Sequence, residues 1–538
     1  LQSLITEAPK YDMNGDGLLD IIDSGLYSGS TGVDSVYLNN GDGSGWSEDS
    51  SYTVGVRFWD NGKNQMRNTR MTDINGDGFS DILYGAMDST TDARKTYIFD
   101  EDTSTWVEDS AYSLPIRFND GYLDDLGVRL LDVNGDGYSD YVQSLIDSSG
   151  AQQSLYLFDP ETQTWNVETS YSIPVAFNDR SSNTDEGVSL GEVNGDGLVD
   201  IIKSRYDGST QQAVYLNNGD GTGWTQDTGY SIPVYFWESS GILSTVAQLM
   251  DVDGDRLADI VHSDASHSDV YINRGNGTGW AKDTAYTVPV DFALSYGSPE
   301  GVQSMDVDGD NFVDFVQSKQ SGGTTTQRVY VSNASPELLE TVHSYKGSTT
   351  TVSYSPSTEF DNPNLPFAMN LVDSITVDDG LGDSSTTTFD YEGGAYLYED
   401  ELNRQFAGFS SITKTEDGRE TETFYEQDDL ALLGHAYQSD VYDESGNLYT
   451  RSIDTWASSD LGYDNDFVYK SKSATLTYDG GSSHRDTGTA YTYDSNGNVK
   501  TVINYGEVTA SLDGTFTDDT TLDEKTTLTY TYATDGSG

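Results

Sequence analysis

Through roughly the first 330 residues, apolar positions come in short alternating runs bounded by Gly, Asn and Asp, and no stretch sustains a 3.6-residue apolar period. Period-two alternation between turn residues predicts short, half-buried strands and an all-β chain. The pattern also repeats. An apolar pair (Ile21-Ile22, Ile82-Leu83, Tyr141-Val142, Ile201-Ile202, Ile260-Val261, Phe315-Val316) is followed by a run such as VYLNN, TYIFD, LYLFD or VYINR. Five units then carry a Trp (Trp46, Trp106, Trp165, Trp224, Trp280) and a segment of the type YSIPVAF. Each unit of about sixty residues therefore holds about four strands.

Ahead of each apolar pair stands a nine-residue string, D-x-N/D-G-D-x-φ-x-D with φ apolar or aromatic. The copies are DMNGDGLLD from Asp12, DINGDGFSD from Asp73, DVNGDGYSD from Asp132, EVNGDGLVD from Glu192, DVDGDRLAD from Asp251 and DVDGDNFVD from Asp306. They lie 61, 59, 60, 59 and 55 residues apart, a regularity that marks a structural repeat. Pro115, Pro174, Pro233 and Pro289 fall in the last expected strand of their units. Pro cannot donate a ladder hydrogen bond and is confined mainly to sheet edges, so that strand is expected at the outer edge of a four-stranded sheet. Such sheets repeated radially make a β-propeller; a linear solenoid, with much shorter rungs, is the alternative. After Tyr330 the sixth unit lacks the Trp and the YxφP segment. Six blades are expected over residues 1–335, the last completed by a strand from upstream of Leu1; a seven-bladed ring that has lost one blade upstream also fits the count.

The string has the chemistry of a hard-cation loop. Ca²⁺ takes six to eight oxygen ligands at ~2.3–2.6 Å, whereas Mg²⁺ dehydrates reluctantly and seldom accepts an all-protein cage. Side chains at positions 1, 3 and 5, the carbonyl at 7 and the carboxylate at 9 can converge when glycines at 4 and 6 bend the backbone. The expected ligands are Asp12, Asn14, Asp16, Leu18 and Asp20; Asp73, Asn75, Asp77, Phe79 and Asp81; and Asp132, Asn134, Asp136, Tyr138 and Asp140. The later copies supply Glu192, Asn194, Asp196, Leu198 and Asp200; Asp251, Asp253, Asp255, Leu257 and Asp259; and Asp306, Asp308, Asp310, Phe312 and Asp314. About six Ca²⁺ sites result. The position 7 side chain is left free to anchor the loop in its blade. Arg256 and Asn311 replace the position 6 glycine; Arg accepts a left-handed backbone poorly, so the Asp251 site is expected to be the most distorted, with the extra carboxylate of Asp253 compensating. GDGSG at residues 41–45 lacks the carboxylate frame and reads as a turn.

These repeats resemble the FG-GAP or VCBS propellers of the integrin α-chain type, over about residues 1–335. The resemblance implies one Ca²⁺ loop per blade between the two inner strands, in a binding or structural module of an extracellular protein. It assigns no ligand.

Over residues 336–538 the spacing is lost and Thr, Tyr and Asp rise. YKGSTTTVSYSPS, VDSITVDDGLGDSSTTTFDYEGG and ELNRQFAGFSSITKTEDGRETETFYEQ alternate polar with β-branched or aromatic residues, as half-exposed strands do. VYDESGNLYT (Tyr442, Asp443, Gly446, Asn447) and YTYDSNGNVKTV (Tyr493, Asp494, Gly497, Asn498) share a Y-D-x-x-G-N form, a strand end running into a turn. With GLG at residues 380–382 and RQFAGF at 404–409, this region is similar to the RHS/YD-repeat family, in particular the B component of insecticidal toxin complexes and the virulence-plasmid B proteins. That resemblance implies a β-rich shell enclosing a toxic C-terminal polypeptide, and a propeller that docks a translocation component.

Composition narrows the function. The 538 residues hold 90 Asp plus Glu against 27 Lys plus Arg, a formal charge of −63. Such a field repels nucleic acid and anionic membrane, and no run reaches the ~18 apolar residues of a span; neither nucleic-acid binding nor membrane insertion is expected. With no Cys, disulfides, thiolate metal sites and cysteine nucleophiles are excluded. Twenty of the acidic residues occupy metal positions, and the other 70 suggest a halophilic surface, suited to salt at which the Debye length shrinks to ~3 Å. The start at Leu1, without a Met or signal pattern, reads as a fragment.

His262, His267, His343, His435 and His484 form no HExxH or HxH motif and read as surface or turn residues. GxSxG, P-loop and dinucleotide motifs are absent, and among so many carboxylates proximity singles out no acid–base pair. The chain is expected to be a non-enzymatic, calcium-stabilised scaffold, secreted or at the cell surface, that docks a protein partner or cell-surface ligand on its propeller. An adhesin binding glycan or protein is the alternative; a polysaccharide lyase is a third reading.

Overall fold

The computed structural model describes residues 12–532 apart from 27–32, 42–43, 61–64, 67–68, 89–90, 121–124, 183, 240–245, 295–297, 322–323, 333–337, 363, 401–402, 461–465, 479–480 and 519–524. The boundary expected at residues 335–336 lies outside the described residues. Two compact units divide the chain: Leu1–Leu338 with Pro366–Ala368 and Asp400–Leu402, and Leu339–Leu365 with Met369–Glu399 and Asn403–Gly538. Among the described residues every regular element is a strand except one 3-10 turn at Ser357–Glu359. None is a helix long and apolar enough to cross a membrane.

The first unit is a six-bladed β-propeller, with one antiparallel sheet per sixty-residue repeat. Blade two shows the full pattern: Thr69–Thr72, Asp81–Asp88, Thr91–Asp100 and Thr105–Glu108 pair in chain order. The apolar pair after each nine-residue string opens the second strand, and both members are buried in blade two (Ile82, Leu83) and blade four (Ile201, Ile202). A strand covered on both faces needs consecutive apolar residues. The core lies between blades. Val193, Ile202, Val214, Ile232 and Phe236 of blade four, for example, pack with Ala247, Ile260 and Trp280 of blade five.

The outermost strand is the one that carries the Trp, at Thr105–Glu108, Thr164–Glu168, Trp224–Asp227 and Trp280–Asp283. This corrects the assignment of the edge to the proline segment. Pro115, Pro174, Pro233 and Pro289 lie outside strands. The proline segment instead recrosses its own blade: Phe118, Phe177, Phe236 and Phe292 each donate a backbone N–H to the second strand, at Gly85, Ser144, Ser204 and Ser263. The hydroxyls of Ser144, Ser204 and Ser263 donate in turn to the carbonyls of Val175, Val234 and Val290. Alternating apolar residues in this segment fill the space between blades, which is why it reads as a strand although it joins no sheet beyond isolated bridges and two-residue pairings at its end.

Blade six has three strands among the described residues, Val302–Met305, Asp314–Ser321 and Thr324–Tyr330. A cavity of 350 Å³ opens beside it, lined by Val252, Val261, Val270, Tyr286, Val288 and Phe315 among others. Five of these match, one repeat earlier, Val193, Ile202, Val214, Tyr230 and Ile232, which surround Trp280. The cavity is thus the place of the missing indole. The ring nevertheless closes. The Asn39 side chain of blade one donates to the Val307 carbonyl of blade six at 2.7 Å, as Asn217 does to Val133 and Asn273 to Val193 between adjacent blades. Blade six therefore neighbours blade one as blade three neighbours blade four, and a seventh blade has no place.

The second unit is built on a thirteen-stranded sheet, a meander from Thr341–His343 to Phe516–Asp518 with Thr526–Thr529 paired to Val499–Ala510, while Ala395–Asp400 and Asn403–Gly408 form a separate two-stranded sheet. Its turns are made as the Y-D-x-x-G-N form suggests. Asp443 and Asp494 each accept the N–H of the residues two and four further on, while Gly446 and Gly497 hold φ of 75° and 81°. The buried cluster is small, comprising Ile453, Ala474, Leu476 and Tyr478. Bidentate pairing of Arg451 with the buried Asp440 adds a polar tie, with Nε to Oδ1 at 2.7 Å.

Candidate metal centres

In blades two to six the nine-residue string forms the loop between the first and second strands, in blade one it leads into Ile21–Leu26, and the same hydrogen bonds shape all six. The position 1 carboxylate accepts N–H groups from positions 4 and 6: Gly15 and Gly17 to Asp12 at 2.7 and 2.8 Å, Gly254 and Arg256 to Asp251 at 2.8 Å, Gly309 and Asn311 to Asp306 at 2.8 and 2.9 Å. Glu192 reaches Gly195 and Gly197 in the same way. The position 5 carboxylate accepts the position 7 N–H, as from Leu18, Phe79, Tyr138, Leu198, Leu257 and Phe312. These bonds wind one loop around the side chains of positions 1, 3 and 5.

Position 9 belongs to the blade. Asp20, Asp81, Asp140, Asp200, Asp259 and Asp314 are buried. One oxygen of each accepts the position 2 N–H, from Met13, Ile74, Val133, Val193, Val252 and Val307. The other accepts from the end of the third strand or just beyond it, at Asn39, Phe99, Phe158, Asn217, Asn273 and Ser332. A carboxylate has about four lone-pair sites, so two N–H bonds leave each oxygen able to meet a cation.

Burial is the main cause that raises these acids. Asp20 and Asp259 are pushed up to about 8, and Asp140, Asp200 and Asp314 to about 7, with neighbouring loop carboxylates adding repulsion. Asp12 rises to about 7 for the same reasons, and Asp81 well above the usual range. Removing these charges from water without a cation is costly. The donor set, all hard oxygen from flexible side chains, fits Ca²⁺. In copies five and six, Asp251, Asp253 and Asp255, and likewise Asp306, Asp308 and Asp314, each bring one oxygen within 4.8 Å of the others. In copies one to four, Asn at position 3 fills the third place and donates to the position 5 carboxylate at 2.8–2.9 Å.

Two expectations are revised. Arg256 takes φ 70° and Asn311 69°, beside 82–94° for the position 6 glycines, so the left-handed backbone is required. The Asp251 loop nonetheless keeps the common hydrogen bonds and shows no distortion in them. The position 7 side chain anchors more than its own blade: a Cβ on Gly15 would meet Phe79 at 3.0 Å, on Gly135 Leu198 at 3.0 Å and on Gly254 Phe312 at 2.9 Å. Loops two, four and six thus lean on the position 4 glycines of loops one, three and five, and Leu257 of loop five stands 3.8 Å from a Cβ placed on Gly195 of loop four. The Trp completes the support, its Nε1–H donating to the position 8 carbonyl at Leu19, Ser80, Ser139, Val199 and Ala258 over 2.7–2.9 Å. The sequence shows this Trp at constant phase but not its tie to the loop. Asn40 N–H donates to the Gly45 carbonyl, while residues 42–43 of the GDGSG segment, expected as a turn, lie outside the described residues.

Residues 274–436 match a family model described as the middle/N-terminal region of insecticide toxin TcdB. No curated protein matches the chain. The fold is similar to a chain in the structure of the Photorhabdus luminescens Tc holotoxin pore, at TM-score 0.64 and 17% identity over 97% of this chain and 27% of that one. It is also similar to TcdB2-TccC3 without its hypervariable C-terminal region (TM-score 0.59, 16% identity, 94% of this chain and 26% of that one). A third likeness is to TcdB2-TccC3-Cdc42 (TM-score 0.57, 18% identity, 94% and 27%). The chain thus spans about a quarter of the length of those solved chains. The fold class is that of the Tc toxin structures, an all-β chain with a six-bladed propeller.

Proposed function

We propose that this stretch is the propeller and shell-start portion of a toxin-complex B-like scaffold: non-enzymatic, secreted, held by about six Ca²⁺ ions, and docking a translocation component through its propeller. The meander would begin a shell around a C-terminal polypeptide of the parent protein. One observation carries this reading. The segment that matches the TcdB family model, residues 274–436, runs from the last complete propeller blade to the start of the seventh strand of the meander, Ala436–Tyr442, so the likeness covers the junction of both architectures rather than one widely reused module. Calcium rests on the loop donors, and the 350 Å³ cavity beside blade six supports an outer strand supplied from ahead of Leu1. The test is capture of a purified pore-forming Tc component by the immobilised chain in calcium. Saturable capture that chelation abolishes is expected. Absence of capture, with binding to cell-surface glycans instead, would overturn the scaffold reading in favour of an adhesin; cleavage of acidic glycan would favour a lyase.

A further inference from the structure

Blade five carries a second kind of centre, unrelated to its calcium loop. The strands Asp259–Asp264 and His267–Asn273 form a hairpin in which His262 pairs with Asp269 and Asp264 with His267. Residues two apart on a strand share a face, and cross-strand partners share it too. All four side chains therefore stand on one face as a two-by-two array, with each histidine diagonal to the other. The rings of His262 and His267 stack at 4.6 Å between centroids and 19° between planes. Asp264 lies between them, with Oδ1 3.0 Å from His267 Nδ1 and Oδ2 3.8 Å from His262 Nε2. One donor atom from each of His262, Asp264 and His267 falls within 4.8 Å of the other two.

The same positions in neighbouring blades serve another purpose. Lys203 and Arg205 stand where His262 and Asp264 do, and both contact Glu186; in blade six Lys319 contacts Glu300. Blade five has thus exchanged a cation held by a carboxylate for a carboxylate flanked by two imidazoles. The hairpin tip is braced: Asp264 accepts the N–H groups of Ser266 and His267 at 2.7 and 2.9 Å, and Asp269 accepts Lys282 Nζ at 2.6 Å.

We propose that His262, Asp264 and His267 bind a divalent transition metal of the Zn²⁺ class. Two imidazole nitrogens and one carboxylate oxygen on a rigid hairpin match the three-ligand form of such sites, with water in the fourth position. Imidazole favours Zn²⁺ and its neighbours, while the all-oxygen loops favour Ca²⁺. The two kinds of ion are therefore sorted by donor chemistry. Drawing donors from within 4.8 Å onto ligand bonds of ~2.0–2.1 Å asks only for side-chain rotation. The ion would clamp the hairpin at the end of the blade away from the calcium loop.

The test uses the full chain in saturating calcium, titrated with Co²⁺ as a coloured stand-in and then with Zn²⁺ as competitor. Wild type is expected to bind one Co²⁺ with visible bands characteristic of nitrogen and oxygen ligands, to lose them to Zn²⁺, and to melt higher in Zn²⁺. In His262→Ala with His267→Ala the affinity is expected to fall by more than the ~10–100-fold that loss of an outer partner costs, while His343→Ala, at an exposed histidine of the second unit, keeps the bands. Circular dichroism in calcium alone checks that the double variant is folded. If wild type shows no Co²⁺ bands, or if the folded double variant binds Co²⁺ as tightly as wild type, the site does not exist.

Discussion

The side-chain amide of Asn39 donates to the backbone carbonyl of Val307 across 268 residues of sequence, and this contact closes the ring. Equivalent bonds join blade four to blade three and blade five to blade four. All three asparagines follow the same third-strand pattern, and both partners of the closing bond are tied to nine-residue loops: Asn39 N–H donates to Asp20, and Val307 N–H to Asp314.

Asn39→Ala is expected to destabilise the first unit by about 1–3 kcal/mol, the usual cost of leaving a buried carbonyl without its donor. Asn217→Ala should cost a similar amount. Urea unfolding monitored by tryptophan fluorescence compares the two; a negligible effect of Asn39→Ala alone would mean that blades one and six do not meet in solution.

Gly254→Ala places a Cβ 2.9 Å from the Phe312 ring at a φ of +79°. Strain and overpacking together should cost about 1–3 kcal/mol or more, and calcium affinity should fall in loops five and six alike, because Phe312 is position 7 of the sixth loop. Gly197→Ala has the same backbone strain, φ +82°, but open space around it, and should be milder. Melting temperatures of the two variants in calcium give the comparison.

The buried loop acids set the pH response. Their folded-state values lie above the usual one of 3.8, at about 7 to 8 for Asp20, Asp140, Asp200, Asp259 and Asp314. Between pH 4 and about 8 the calcium-free folded state therefore binds more protons than the unfolded chain, and its stability falls as pH rises through that window. Calcium bound as proposed is expected to reverse the preference by holding the carboxylates ionised. Melts from pH 5 to 8 should show the chelated protein losing stability with pH while the calcium-loaded protein gains it relative to the chelated form.

How much of this is legible in the sequence depends on distance along the chain. The loop frame, the Trp at constant phase and the Asp443 and Asp494 turns are local, and they stand where the strings place them. The proline segment misleads because alternating apolar residues fill a cleft between two blades as readily as one face of a strand, and only the Phe118-to-Gly85 type of bond separates the two. The packing of Phe312 on Gly254 and the Asn39–Val307 closure join different repeats, so no single unit displays them. His262 and His267 read as isolated surface histidines because the face they share follows from the two-residue turn at Ala265 and Ser266 and the cross-strand register, which a motif search for HxH or HExxH does not test.

The most direct measurement is a thermal melt of the full chain in excess Ca²⁺ and in excess chelator, together with the calcium content of the holo protein. About six bound ions per chain and a melting temperature lower by many degrees on chelation are expected, since ligand that binds only the folded state stabilises it and empty loops of three or four carboxylates repel themselves. Calcium content near zero, or coincident melts with and without chelator, would contradict the assignment of the six loops as structural calcium sites.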